Sequence, residues 1–198
     1  MEVRLYDPRV DSGPEITEGK GVGIRIVAYL IDYVIIMVNT LFVGLVIVIV
    51  VGIFFLLTAE EEPVPGEISM VSQILLSVIL SVGYFGMFEW LYSATPGKLI
   101  TKMRVVSRNG SRCSMYQAFG RGLMRFIDLL FFGLPAIFSM NQSPLKQRLG
   151  DRAANTVVVE AGHPAIKETP GHIYFLIAGV VFQFVVVGVI GIQIFLMF

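Results

Sequence analysis

Six ionisable side chains lie inside the apolar stretches of this sequence: Arg25, Asp32, Glu89, Arg121, Arg125 and Asp128. A charge at the centre of a bilayer costs at least ~2.5–3.5 kcal/mol on insertion scales, so such residues face a protein interior or water and pair with one another. A neighbouring cation favours the ionised form of a carboxylate, and desolvation favours the protonated form. Their opposition can bring a proton-binding group into a working range. Spacing groups the six. Arg25, Asp32 and Asn39 recur every seven residues, and seven residues of helix fall only about 20° short of two turns. They form one polar stripe, with Tyr29 beside it. Gln73, Ser77, Ser81 and Tyr84 line a second stripe, to which Tyr92 returns, and Arg121, Arg125 and Asp128 share a third through i+4 and i+3 steps. Three apolar helices with one polar stripe each predict a bundle whose stripes meet. Tyr33–Leu57 alone is long enough to cross a bilayer, which leaves Arg25 and Asp32 towards one face, and Glu89 sits at the same level near the end of its own block.

Each residue also has a plainer reading. Arg25, Arg121 and Arg125 can snorkel to lipid phosphates. Asp32 is too short to snorkel, so its plain role is an ion pair between helices, and Asp128 has the same two readings. Glu89 neighbours Trp90 and Tyr92, an aromatic belt that would place it in the interface. Gln73 and the serines serve equally as glue between helices.

These residues must be positioned by a membrane protein. Of 198 residues 55% are hydrophobic and 15% charged, mean hydropathy is +0.76, and soluble domains carry about 25% charged residues. The apolar residues bunch into four blocks, roughly 23–57, 70–92, 115–140 and 173–198, and continuous runs of this kind mark membrane spans. A soluble enzyme, a secreted disulfide scaffold and a free-standing nucleic-acid binder are excluded as classes. Cys113 has no partner for a disulfide, and His163 and His172 sit beside Gly or Pro with no zinc-ligand spacing. No catalytic constellation, metal or cofactor is expected.

Charge distribution gives topology. Thr58–Ser69 holds Glu60, Glu61, Glu62 and Glu67 and no base, whereas Ser93–Ser114 holds Lys98, Lys102, Arg104, Arg108 and Arg112 and no acid. Basic loops stay cytoplasmic, so the N-terminus lies inside, the acidic loop outside and the basic loop inside. The basic run abuts a span, and attraction to anionic inner-leaflet lipids, roughly 1 kcal/mol per residue, explains it more simply than nucleic acid does. Thr95–Lys98 lacks the first glycine and trailing Ser/Thr of a phosphate loop and reads as a turn leaving the membrane, with Lys98 as an anchor. The third block breaks at Gly133-Leu134-Pro135, where proline removes a helix hydrogen bond. Lys102–Arg108 and Thr156–Glu160 are β-branched runs of strand type, the first closing on the tight-turn pair Asn109-Gly110. If the strands pair, both loops share one side. The third block is then re-entrant and the last helix runs outward, leaving Phe198 outside; four full crossings is the alternative.

The predicted fold is an all-α integral membrane protein, a small bundle of three or four transmembrane helices with a short cytoplasmic β element. Residues 1–22 form a cytoplasmic arm, 23–160 the membrane domain with cytoplasmic loops 93–114 and 141–172, and 173–198 an additional C-terminal transmembrane helix. Arg25-x6-Asp32 and Arg121-x6-Asp128 share a spacing, but eight residues are too few to separate duplication from coincidence.

Several of these stretches together resemble the RDD family of small membrane proteins, named for an arginine and two aspartates. They are Arg25 to Asp32, Thr95-Pro96-Gly97-Lys98 with Arg104-Val105-Val106, Arg121 to Asp128, and Ser143-Pro144 to Asp151 with Thr156 to Val158. Arg25 and Asp32 match the family's first pair, Asp151 the remaining aspartate, and Asp128 a recurrent position. The resemblance implies transport, with cation/proton exchange proposed for some relatives. Read from the residues alone, Asp151 caps a turn or pairs with neighbouring bases, a structural role favoured over one at a cytoplasmic mouth.

Two functions follow. The first is a small cell-membrane transporter or cation/proton exchanger. It uses an inner-leaflet cluster of Arg25, Asp32, Asn39, Glu89, Arg121, Arg125, Asp128 and Asp151, in which Asp32 and Asp128 bind a cation or proton and Arg25 tunes them. The second is a non-transporting scaffold or regulator that binds another membrane protein or anionic lipid. The chain is short for a closed pathway, so a homo-oligomer is expected in the first case.

Overall fold

The computed structural model describes residues 16–58, 66 and 69–197. The first fifteen residues of the arm, the acidic-loop residues Glu60, Glu61, Glu62 and Glu67, and Phe198 lie outside the described residues. The elements in chain order are α1 (Val22–Thr58), α2 (Met70–Tyr92), α3 (Pro96–Ile100), β1 (Met103–Ser107), α4 (Met115–Leu130), α5 (Leu134–Gln142), α6 (Leu149–Ala153), β2 (Thr156–Glu160) and α7 (His172–Met197).

A bilayer requires each crossing segment to satisfy its own backbone hydrogen bonds, which an unbroken apolar helix does. Three helices are long and apolar enough to cross: Val22–Leu57, Met70–Tyr92 and His172–Gln193. The chain is a multi-pass membrane protein. Its inter-helix core joins α2 to α7 through Tyr84, Phe85, Phe88, Phe182 and Val186, with Val43 of α1. Phe88 meets Phe175, and Tyr84 meets Phe182, at ring-centroid distances of 5.2 and 5.0 Å. These pairings run α7 antiparallel to α2.

β1 and β2 pair antiparallel in the register Met103↔Glu160, Val105↔Val158 and Ser107↔Thr156. The valines suit a pleated sheet buried on both faces. One face meets Ala28, Cys113 and Ala118, and the other meets Ile16 and Ala165. The Asn109-Gly110 turn forms, with Gly110 at φ +81°, and it folds the chain back on β1 to a bridge between Val106 and Arg112 rather than on to β2. Because the two strands flank the third apolar block in sequence and hydrogen-bond to each other, that block begins and ends on the same side. It does not cross. Its break lies where expected: Phe132 and Gly133 adopt left-handed backbone at φ 54° and 78°, and Pro135 opens α5. The alternative of four crossings is set aside, and the described part of α7 leaves the sheet side for the opposite one.

Candidate functional site

The site grows from three helix faces and two short helices. At the start of α1, Arg25 Nε donates to the Lys20 carbonyl at 3.0 Å, and its Nη1 reaches Asp151 Oδ2 at 2.6 Å. Asp151 lies on α6, where its Oδ2 also accepts from the Arg148 backbone at 3.2 Å and its Oδ1 from Arg148 Nη2 at 3.4 Å. Both structural roles read from the residues, capping and pairing with neighbouring bases, are thus present in the geometry.

From α4, Arg121 connects two carboxylates. Its Nε meets Glu89 Oε2 at 2.9 Å, its Nη1 meets Asp151 Oδ1 at 2.8 Å, and Nη1 also donates to Thr156 Oγ1 at 2.5 Å. Glu89, on α2, is further held by Lys98 Nζ at 3.0 Å and Arg125 Nη2 at 3.4 Å. Arg121, Glu89 and Asp151 are all fully buried. Each carboxylate has three cations, and Arg121 is shared between them. Arg125 also stacks over Phe85, 3.4 Å from the ring centroid, with Tyr29 at 5.7 Å.

Asp128 is different. It is buried, neither of its oxygens accepts a hydrogen bond among the described residues, and its ion pair there is Arg148 Nη1 at 3.6 Å. Burial pushes its carboxyl above the ordinary aspartate value, outweighing the pull of Arg148 and Arg125. Asp151 goes the other way. Burial would raise it, but Arg121, Arg148 and Arg25 together hold it far below the usual range. Burial lowers Lys98 despite the opposing effect of Glu89.

Two expected members of the cluster are placed elsewhere. Asp32 is fully buried but makes no direct ion pair among the described residues. Its carboxylate accepts from Tyr84 Oη at 2.7 Å, Thr95 Oγ1 at 2.5 Å and the Gly97 backbone N–H at 2.7 Å. It is a clamp on the start of α3, and only glycine fits there, since a Cβ at 97 would lie 2.1 Å from the Ala28 carbonyl oxygen. Arg25 therefore pairs with Asp151 rather than Asp32, because α6 brings its carboxylate within reach while Asp32 is already filled by neutral donors. Asn39 exchanges two hydrogen bonds with Gln183 of α7, at 3.0 and 3.1 Å, and is glue between spans. The shared Arg-x6-Asp spacing has no common geometry.

The basic run also needs correction. Lys98 is 7% exposed and turned inward to Glu89. Arg104 donates to the Tyr92 carbonyl and Arg112 to that of Leu91, both at 2.8 Å. The last carbonyls of a helix lack intrahelical partners, and these two guanidiniums supply them at the end of α2. Of the five expected lipid anchors, Lys102 and Arg108 are exposed. Arg148, Thr95 and Thr156 were missing from the expected site. Arg148 could have been found from its i,i+3 spacing to Asp151, but no sequence signal marks the threonines.

Two cavities border this cluster. The first, about 300 Å³, is lined by Arg25, Tyr29, Lys98, Arg121, Arg125, Asp128 and Arg148 together with Ile26, Phe132, Ile137 and Met140, among others. The second, about 380 Å³, follows Met70, Gln73, Ser77 and Ser81 along α2 and ends at Tyr29 and Arg125. Gln73, Ser77 and Ser81 of the polar stripe expected on the second apolar block thus line a cavity, while Tyr84 turns to Asp32 and Tyr92 to His172. Among the described residues no group of His, Cys, Asp and Glu has the arrangement of a metal site.

The family model described as RDD family matches residues 20–155. The chain belongs to the RDD family. The match takes in α1 to α6 and the whole charge cluster, and α7 lies beyond it. No curated protein and no solved structure matches this RDD-family chain.

Proposed function

We propose that this RDD-family chain is a small proton-linked membrane transporter, with exchange of a proton against a small cation as its activity. The observation that carries the reading is the pair of cavities that share Tyr29 and Arg125 in their walls. One follows the polar face of α2 from its start, and the other opens beside Asp128 near the sheet. Two half-paths divided by one pair of side chains suit alternating access to a site between them. Within the cluster Asp128 carries the proton, since Glu89 and Asp32 are each filled by three donors, Asp151 by four, and Asp128 accepts no hydrogen bond among the described residues. Its unfilled lone pairs can take a proton or a small cation in turn. On this reading the sheet and the N-terminus face the cytoplasm of a cell membrane, as the positive-inside rule favours, and the inner cavity sits at the level of the inner leaflet.

The test is flux. In vesicles holding a pH indicator, the wild-type protein moves protons when a sodium or potassium gradient is imposed, and Asp128→Asn does not. Wild-type vesicles as proton-tight as empty ones, or an Asp128→Asn variant that transports normally, would dispose of the reading. A non-transporting scaffold is favoured by one feature, the complete pairing of Glu89 and Asp151. That reading expects no flux and tolerance of apolar residues replacing Arg25 and Asp151 together, as buried pairs often permit.

A further inference from the structure

The inner cavity has a chemistry beyond the proton or small cation that Asp128 can take. Its immediate surroundings hold five cations, Arg25, Lys98, Arg121, Arg125 and Arg148, against the four carboxylates Asp32, Glu89, Asp128 and Asp151. Arg25 Nη2, Arg121 Nη2 and Arg125 Nε are buried without a hydrogen-bond partner among the described residues. All three residues line this cavity, and the side chains of Arg121 and Arg125 are 0% and 8% exposed. A buried unpaired donor on a charged group costs more than the ~1–3 kcal/mol of a neutral one, so the three donors, beside the two likewise unpaired oxygens of Asp128, mark a polar wall in want of partners in which donors outnumber acceptors. Guanidinium groups match carboxylate and phosphate oxygens in geometry as well as charge.

The walls narrow the ligand further. The lining residues that remain exposed are Ile26, Phe132 and Ile137, at 44%, 94% and 36%, and all are apolar. Phe132 and Ile137 lie on the re-entrant turn and α5, whose neighbours Phe131, Leu134 and Phe138 are exposed as well. On this side the rim of the cavity is therefore apolar and faces the hydrocarbon of the leaflet. A small hydrated anion would have to cross that rim, whereas an amphiphile already in the leaflet would not. A volume of about 300 Å³ is at the lower limit of small-molecule sites, enough for a compact head and the upper part of one chain. A bulky two-chain headgroup would not fit inside.

We propose that this cavity binds an anionic amphiphile, a carboxylate or phosphate monoester on an acyl chain. Its head meets the guanidiniums of Arg25, Arg125 and Arg148 on the cavity wall, with Arg121 behind them, and its chain leaves past Ile26, Phe132 and Ile137. The site does not depend on transport. It can be occupied in a protein that moves no protons, and its assay measures binding alone.

The protein in nanodiscs of neutral lipid is titrated with oleate, oleoyl lysophosphatidate, oleoyl lysophosphatidylcholine, oleyl alcohol and inorganic phosphate, with native mass spectrometry and thermal shift as readouts. Oleate or lysophosphatidate, or both, bind with one site per chain, about tenfold or more tighter than the zwitterion and the alcohol. Ala136→Leu fills the cavity and Ile137→Trp narrows its mouth without touching a charge, and each weakens the anionic amphiphile by about tenfold. Arg125→Gln weakens it too. Normal elution and a protected Cys113 in each variant show that the fold is intact. Equal binding of the alcohol would reduce the site to an apolar groove, and equal binding of inorganic phosphate would make it a free-anion site; either overturns the proposal. So does absence of binding by both anionic amphiphiles, or cavity variants that bind as wild type. Flux without amphiphile binding would refute this inference and leave the transport reading standing, and binding without flux would do the reverse.

Discussion

Arg121→Met should be the most damaging single replacement in the charge cluster. The guanidinium is fully buried and makes contacts of 2.9 Å to Glu89, 2.8 Å to Asp151 and 2.5 Å to Thr156. Coulomb's law at an effective dielectric of about 20 gives roughly 6 kcal/mol for each ionic contact. Desolvation of the guanidinium, which costs several kcal/mol, offsets much of that sum, and breaking a buried pair by removing one partner costs ~3–5 kcal/mol net. Neither carboxylate is left bare, since Glu89 keeps Lys98 and Arg125 and Asp151 keeps Arg25 and Arg148. The same ~3–5 kcal/mol thus stands as the total, a large part of a domain stability of about 5–15 kcal/mol. Thermal unfolding in detergent should fall by roughly 10 °C. Arg121→Lys keeps the charge but loses the planar fork that reaches three acceptors, and should fall between. Arg125→Met is the control. It removes one longer contact, 3.4 Å to Glu89, and the stack on Phe85, for a cost of about 1–2 kcal/mol. An Arg121→Met protein as stable as wild type, or an Arg125→Met protein less stable than Arg121→Met, would refute the assignment of Arg121 as the bridge.

Other outcomes follow from the same geometry. Asp151 sits below its unfolded value near 3.8, so its contribution to stability is present above that pH and is lost as acid takes the carboxylate towards its depressed folded value. Asp151→Asn should be less stable near neutrality and show a flatter loss between about pH 6 and about pH 2 than wild type in thermal melts; parallel curves would contradict the pairing. Asp32→Asn keeps one acceptor oxygen and places a donor amide among three donors, so it should destabilise by about 1–3 kcal/mol, seen as early unfolding rather than as flux lost from a stable protein. Burial pushes the Cys113 thiol up to about 12, and it is 2% exposed. Maleimide should leave the folded protein unlabelled at neutral pH and label it after denaturation; rapid labelling in the native state would show that the packing around β1 is wrong.

The parts of this fold legible in the sequence are those set by hydropathy and local backbone chemistry. The three spans follow from unbroken apolar runs, the break at 132–135 from glycine and proline, and the strand pair from two valine-rich segments of similar length. The face of α4 was legible because i+3 and i+4 spacing is local. Asp32 was misread for a different reason. A carboxylate inside an apolar helix reads as seeking a cation because cations are visible as letters, and the Gly97 N–H that fills it is not. The same limit hid the fate of Lys98, Arg104 and Arg112. Bases beside a span read as lipid anchors unless the carbonyls at the end of α2 and the buried Glu89 are known to lie within reach. Asn39 found Gln183 across 144 residues, a distance at which spacing carries no information.

The most direct test of the account is whether Asp128 is the carboxylate in the cluster that takes up a proton. Infrared difference spectra between acidic and alkaline pH, on protein in neutral lipid, resolve the carbonyl stretch of a protonated buried carboxyl group. The account predicts one such band in the wild type that vanishes in Asp128→Asn and persists in Glu89→Gln and Asp32→Asn variants that retain the fold. A band that survives in Asp128→Asn and is lost in one of the other two would place the proton elsewhere and contradict it.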